Sequence, residues 1–192
     1  MALEKYKFNK RDAGFSLIET MVATMLLALA LTSLAELFAV ATKTNAVARN
    51  GTVTSIFATQ KMEQLRGLAW GFDTLGLPVS DTTTDTSVSP EIATGGTGLA
   101  PSPSNTLQAN TSGYVDYLDA YGNALGGGSV VPQNTAYIRR WYVQPLPTNP
   151  NNTLILHVLV TRRADRGTAD AGSVARMPEE ARLTTVKTRK AQ

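Results

Sequence analysis

Few side chains here could carry chemistry, and the most conspicuous of them, Glu19, stands inside an apolar run. Between Gly14 and Thr42 the chain has two acids, Glu19 and Glu36, and no base. A charge at the centre of a bilayer costs at least about 2.5 kcal/mol. On a helix the two acids lie about 25 Å apart along the axis, so each can approach one interface while the uncharged stretch Thr20 to Ala35 fills the middle. That accounts for Glu36. It leaves Glu19 unexplained, because a simple anchor has no need of an acid so close behind the step Gly14-Phe15.

Elsewhere the chemistry is thin. His157 is the only histidine, so no histidine-rich metal site and no Ser-His-Asp triad with a second histidine can be drawn. It falls in a β-rich run, where a histidine of the core or sheet face is the expected reading. With no cysteine there is neither a disulfide nor thiol chemistry. Gly95-Gly96-Thr97-Gly98 lacks the Lys-Ser/Thr of a phosphate loop and its strand-to-helix setting. Arg139-Arg140 and Arg162-Arg163 would line a basic surface for DNA or an acidic partner only if each pair shared a face. Neighbours on a strand point to opposite faces, so solvated sheet edges are expected and DNA binding is unsupported. No catalytic residue, metal site or cofactor is expected.

The element that positions Glu19 is a helix. Phe15 to Val40 has no proline and is dominated by Leu, Met and Ala, strong helix formers. Its length as a helix is roughly 39 Å, against a hydrocarbon core of about 30 Å. In front of it lies a short polar leader with Lys5, Lys7, Lys10 and Arg11 against Glu4 and Asp12. The leader has no separate apolar region or A-x-A site of a removable secretory signal. Its positive charge places the N-terminus in the cytoplasm and the rest of the chain outside.

Lys10-Arg11-Asp12-Ala13-Gly14-Phe15-Ser16-Leu17-Ile18-Glu19 resembles the processing motif of type IV pilins and type II secretion pseudopilins. The resemblance covers about the first 55 residues. It implies cleavage of the Gly14–Phe15 bond by a prepilin peptidase, N-methylation of Phe15, and a role for Glu19 in filament assembly. It also implies the partners: the peptidase/methyltransferase, other pilins or pseudopilins met through the N-terminal helix, an inner-membrane assembly platform, and the membrane before assembly. Two departures weigh against a major subunit. Many major pilins carry a helix-breaking proline where this chain has Glu36, and a two-cysteine loop near the C-terminus that is absent here.

Five segments follow. Residues 1–14 are the leader and 15–42 the membrane and filament-core helix. Residues 43–76 are the amphipathic half of the helix and its exit, docking on a sheet through Val53, Ile56, Phe57 and Leu65, with Gln60, Lys61 and Gln64 interrupting the stripe. Gly51 is a soft point, and Gly67 with Gly71 a stop. Residues 77–113, rich in Thr, Ser, Gly and Pro, read as a long loop with room for a short strand or two, one that buries little surface. Residues 114–192 form a C-terminal sheet region with strands at Tyr114–Tyr121, Tyr137–Val143, Thr153–Thr161 and Arg182–Arg189, and a flexible Gly126-Gly127-Gly128. The expected fold is α+β, a long helix laid on a small antiparallel sheet.

Acids dominate residues 50 to 138 and bases prevail from Arg139 onward, a split most simply read as solvated surface. Two functional readings follow. One is a structural subunit, a minor pilin or pseudopilin; the other is a singly anchored membrane protein whose outer domain binds a ligand or catalyses a reaction. Processing separates them: mass spectrometry of the membrane fraction should find a chain starting at N-methyl-Phe15. Gly14→Val should block the cut, since a β-branched residue crowds a backbone that a protease must hold extended. Mature protein with an intact Met1 or Ala2 terminus would defeat the first reading.

Overall fold

The structure is a computed structural model that describes residues 14–163 and 179–189. The expected leader, apart from Gly14, lies outside the described residues. The chain divides into two compact units, residues 1–45 and 46–192. In the first, the described residues form the N-terminal part of helix α1 (Leu17–Gly67). In the second, the remainder of α1 packs on a five-stranded antiparallel sheet. Its strands are β3 (Val115–Leu118), β4 (Ala124–Gly127), β5 (Tyr137–Pro145), β6 (Thr153–Arg162) and β7 (Ala181–Thr188), in the order β4-β3-β5-β6-β7. A short hairpin of β1 (Trp70–Phe72) and β2 (Pro78–Ser80) follows the helix exit. The architecture is α+β, consistent with a pilin-like fold.

The helix runs through Gly51 and stops at Gly67. Its buried face in the second unit is Thr54, Ala58, Lys61, Met62 and Leu65, at helical spacings of four, three and one residues. Val53 and Phe57 are partly buried against the same core. Ile56, expected on the docking stripe, is 59 % exposed. At about 100° per residue it lies about 200°, just over half a turn, from Ala58, so it cannot share that face. Lys61, expected to interrupt the stripe, lies at its centre instead.

Alternation along the strands divides the sheet into two faces. Trp141, Val143, Leu154, Leu156, Val158 and Val160 form the core beneath the helix. Val115, Tyr117 and Ile138 pack on the other side under Leu125 and Val131. Strand β5, third of five, is therefore buried on both faces along Tyr137–Trp141. This overturns the expectation that Arg139 and Arg140 are solvated. Each is 1 % exposed, and they diverge as strand geometry requires. Arg139 grips both carboxylate oxygens of Asp116 (2.8 and 2.7 Å), its register partner on β3, and donates to Gln60 Oε1 on the helix (3.1 Å). Arg140 turns to the other face and donates to Asn110.

Lys61 completes the cluster. Its Nζ is 2.6 Å from Asp116 Oδ2, with both side chains fully buried. It also donates to the Thr86 carbonyl and lies 4.2 Å from the Trp141 ring centre. Two cations thus share one buried carboxylate, and burial pulls the Lys61 amine down from 10.5 to about 8.

The segment 77–113 is not the thinly packed loop expected. Leu99, Thr86 and Thr106 are buried, and backbone bonds from Gly96, Gly98 and Leu99 to the carbonyls of Thr83, Thr84 and Asp81 hold it together. Its glycines explain how. A Cβ at Gly96 would lie 2.1 Å from the Thr84 carbonyl oxygen, and Gly98 has φ +47° against Asp81. The Gly95–Gly98 run serves close backbone approach, not phosphate binding. Likewise Gly126 and Gly127 belong to strand β4, not to a flexible linker.

The cluster dictates how its members respond to change. Asp116→Asn leaves two buried cations facing each other, and should destabilise the second unit by about 3–5 kcal/mol. Lys61→Met keeps the Arg139–Asp116 pair and should cost less, mainly the lost partner of the Thr86 carbonyl at about 1–3 kcal/mol. Because Lys61 sheds its proton near pH 8 when folded and near 10.5 when unfolded, the unfolded chain binds more protons in between. Stability should therefore rise from pH 8 towards 10, and this slope should vanish in Lys61→Met. Urea unfolding of the full chain in detergent checks all three, and equal losses for the two variants would refute this account.

Candidate processing and assembly site

Gly14, Phe15 and Ser16 precede the first helical residue. A Cβ at Gly14 would meet nothing within 4 Å, so the protein's own packing does not demand glycine there. Phe15 is 81 % exposed. The Gly14–Phe15 bond thus lies on open, non-helical backbone, which a protease can grip.

Ser16 starts the helix. Its carbonyl accepts from the Glu19 and Thr20 amides (3.0 and 3.1 Å), and its Oγ accepts from the Glu19 N–H (3.2 Å). Ser16 is the N-cap, and Glu19 stands three residues on, the S-x-x-E spacing of a capping box. In the first turn its carboxylate faces the positive end of the helix dipole. Sequence reasoning missed Ser16. The signal, Ser16-Leu17-Ile18-Glu19, was legible, but a helix taken to begin at Phe15 leaves no room for a cap.

Beyond Glu19 the helix is apolar on every side. Large apolar residues from Phe15 to Val40 are 46 to 81 % exposed. The most apolar 18-residue window has a mean hydropathy of 2.0, none of it is buried, and the helix is long enough to cross a membrane. Its hydroxyls do not spoil this surface. Thr20, Thr24, Thr32, Ser33 and Thr42 each donate to a carbonyl three or four residues earlier, at 2.8 to 3.0 Å, the arrangement that lets hydroxyls enter hydrocarbon. Only Glu19 and Glu36 remain as charged groups within the stretch.

The other candidates are dispersed through the second unit. His157 is half-buried on the sheet face away from the helix, stacked on Tyr142 (5.8 Å between rings) with Nδ1 2.9 Å from Thr184 Oγ1. Burial lowers its pKa. Val53, Phe57 and Leu65 contribute to the helix–sheet core, Arg139 is buried on that face of the sheet, and Arg140 is buried on the opposite one. These side chains do not converge with one another on a common surface.

A family model described as the prokaryotic N-terminal methylation motif matches residues 9–35, a span that contains Gly14, Phe15 and Glu19. No curated protein and no solved structure matches the chain. The chain carries a type IV pilin-like prepilin leader followed by an apolar, membrane-compatible helix, the features of a type IV pilin or pseudopilin-like precursor. Such motifs mark structural proteins, and the processing enzyme and fellow pilins are the partners they suggest.

If Ser16 caps the helix, Ser16→Ala should free the Glu19 amide and cost about 1 kcal/mol locally. Hydrogen exchange at the Glu19 amide, measured on the full chain in detergent micelles, should quicken several-fold while amides beyond Thr24 keep their rates. Unchanged exchange at Glu19 would rule out the cap.

Proposed function

We propose that this chain is a structural subunit of a thin extracellular filament, a minor pilin of a type IV pilus. Prepilin peptidase cuts the leader after Gly14, and Phe15 is methylated. The apolar helix first holds the chain in the inner membrane, and the assembly platform then draws it into the filament among other pilins. The observation that carries this reading is the methylation motif joined to a helix whose large apolar residues from Phe15 to Val40 are all exposed. A simple anchor needs the apolar length but not the motif.

Glu19 has a definite task in this scheme. Near the cytoplasmic interface its carboxylate stays hydrated. Once helices pack together that water is lost, and an unpaired buried carboxylate costs several kcal/mol. The amine of Phe15 released by the cut is the available cation, on the same chain or a neighbour. Pairing makes insertion register-specific, since a slip of one turn, about 5.4 Å, leaves both charges unmatched. The second reading is a type II secretion pseudopilin, favoured by the same motif. The preference for a pilus rests on the Arg139-Arg140-Trp141 strand and the long Thr/Ser/Gly segment, which resemble minor pilins of the pilus-modification kind.

A clean deletion scored for surface pili and for secreted proteins tests the choice: pili lost with secretion normal is expected, and the reverse overturns it. Glu19→Val should be exported, cleaved and anchored, yet be strongly depleted from filaments sheared off cells. Glu36→Gln, at a position that keeps contact with water, should change little. Normal amounts of Glu19→Val in the sheared fraction would remove Glu19 from assembly.

A further inference from the structure

The start of α1 is defined by bonds at a single residue. The Thr20 amide donates to the Ser16 carbonyl (3.1 Å), and the Ser16 Oγ accepts the Glu19 N–H (3.2 Å). Thr20 Oγ1 donates in turn to the Leu17 carbonyl (2.8 Å), which ties the first turn further. An N-cap keeps non-helical backbone while its carbonyl takes the first helical bond. With the cap at Ser16, Gly14 and Phe15 fall outside the helix, and among the described residues no hydrogen bond ties either of them. Phe15 and Ser16 therefore stand between the Gly14–Phe15 bond and the first helical residue, Leu17.

Packing does not hold the helix at that point. Phe15 is exposed, and a Cβ at Gly14 would meet nothing within 4 Å, so no described neighbour bars a further turn. Two local preferences oppose it instead: the cap at Ser16, and the poor helix propensity of glycine at Gly14. They stand on either side of Phe15. One more turn, about 3.6 residues, would enclose the Gly14–Phe15 bond. Its N–H and C=O groups would then enter the helix ladder, and its flanks would leave the extended shape that a protease grips.

We propose that Ser16 is a positioning residue for leader removal: its cap holds the helix off the Gly14–Phe15 bond and so sets the fraction of precursor that can be cut. This rests on the reading of the chain as a pilin-like precursor cleaved after Gly14. It adds that Ser16 is required by the physics of the helix start, not by a contact with the enzyme. A substrate whose competent conformation is only partly populated binds more weakly by that fraction. Losing the cap therefore raises KM and leaves kcat alone. The cap bond goes to the backbone of Glu19, so Glu19→Val keeps it and is cut normally.

The test uses the full-length precursor in detergent micelles, mixed with membranes that contain a prepilin peptidase, and follows the mature chain over time. Ser16→Ala, nearly isosteric, should raise KM about three- to ten-fold, the effect of losing an N-cap of ordinary strength, with kcat unchanged. Ser16→Asp and Ser16→Asn, which cap as well as serine does, should be cut like the unaltered chain. An enzyme pocket that reads size and polarity would rank them the other way, taking Ser16→Ala and refusing Ser16→Asp. Equal KM for Ser16→Ala and the unaltered chain overturns the positioning role. So does a loss confined to kcat, or slow cleavage of both Ser16→Asp and Ser16→Asn. Each of these results leaves cleavage after Gly14 standing. An unaltered precursor that is not cut after Gly14 defeats the processing reading and this role together.

Discussion

The second unit depends on one buried carboxylate. Asp116 is the meeting point of helix, sheet and the segment after the hairpin: Lys61 reaches it from α1, Arg139 from β5, and Lys61 also holds the Thr86 carbonyl. Hydrophobic contacts between α1 and the sheet are non-directional, and the same apolar stripe would tolerate a slide of a residue or a turn. Ion pairs at fixed distance do not. A buried ion pair adds little net stability against a hydrophobic substitute, so we read this cluster as setting the helix's register on the sheet. The core around it, Leu65, Trp141, Leu156 and Val158, supplies the affinity.

The first unit obeys the opposite logic. None of its described residues, 14–45, is buried. Where the second unit places charges in its interior and neutralises them there, the N-terminal helix between residues 17 and 42 carries only two, both acids, and seats one of them, Glu19, at a helix end that favours an anion. These are two answers to the same constraint: a charge away from water must have a partner whose position is fixed in advance.

How much of this could be read from the sequence varied with the range of the interaction. The apolar helix, the Gly67 stop and strands β5, β6 and β7 are local patterns, legible in spacing and β-branched runs. The leader motif is local too. Lys61 and Arg139 were misjudged for a different reason. A charge in an apolar run reads as an interruption unless its partner is known, and Asp116 lies 55 residues from Lys61 in the chain. Only strand register, Asp116 opposite Arg139, brings the three together. The segment 77–113 was misjudged because its order comes from backbone hydrogen bonds and glycine close contacts, which composition does not register. Ile56 shows the limit of counting apolar residues: beside Phe57 it fits a stripe by type, while the angle around the helix puts it outside. At the N-terminus the methylation motif was legible in the sequence, but the cap at Ser16 emerged only with the helix start.

The hydroxyls of the N-terminal helix have a mechanical consequence. Since Thr20, Thr24, Thr32, Ser33 and Thr42 are bonded to carbonyls of their own helix, the surface they form asks nothing directional of its surroundings. In the proposed assembly, moving it from lipid to a bed of other helices would exchange one set of dispersion contacts for another of similar strength, with no hydrogen bond broken on the way. Resistance to extraction would then be concentrated at Glu19 and Glu36, the two charged groups between residues 17 and 42. Such an element would slide smoothly and stop only where a charge finds its counterpart.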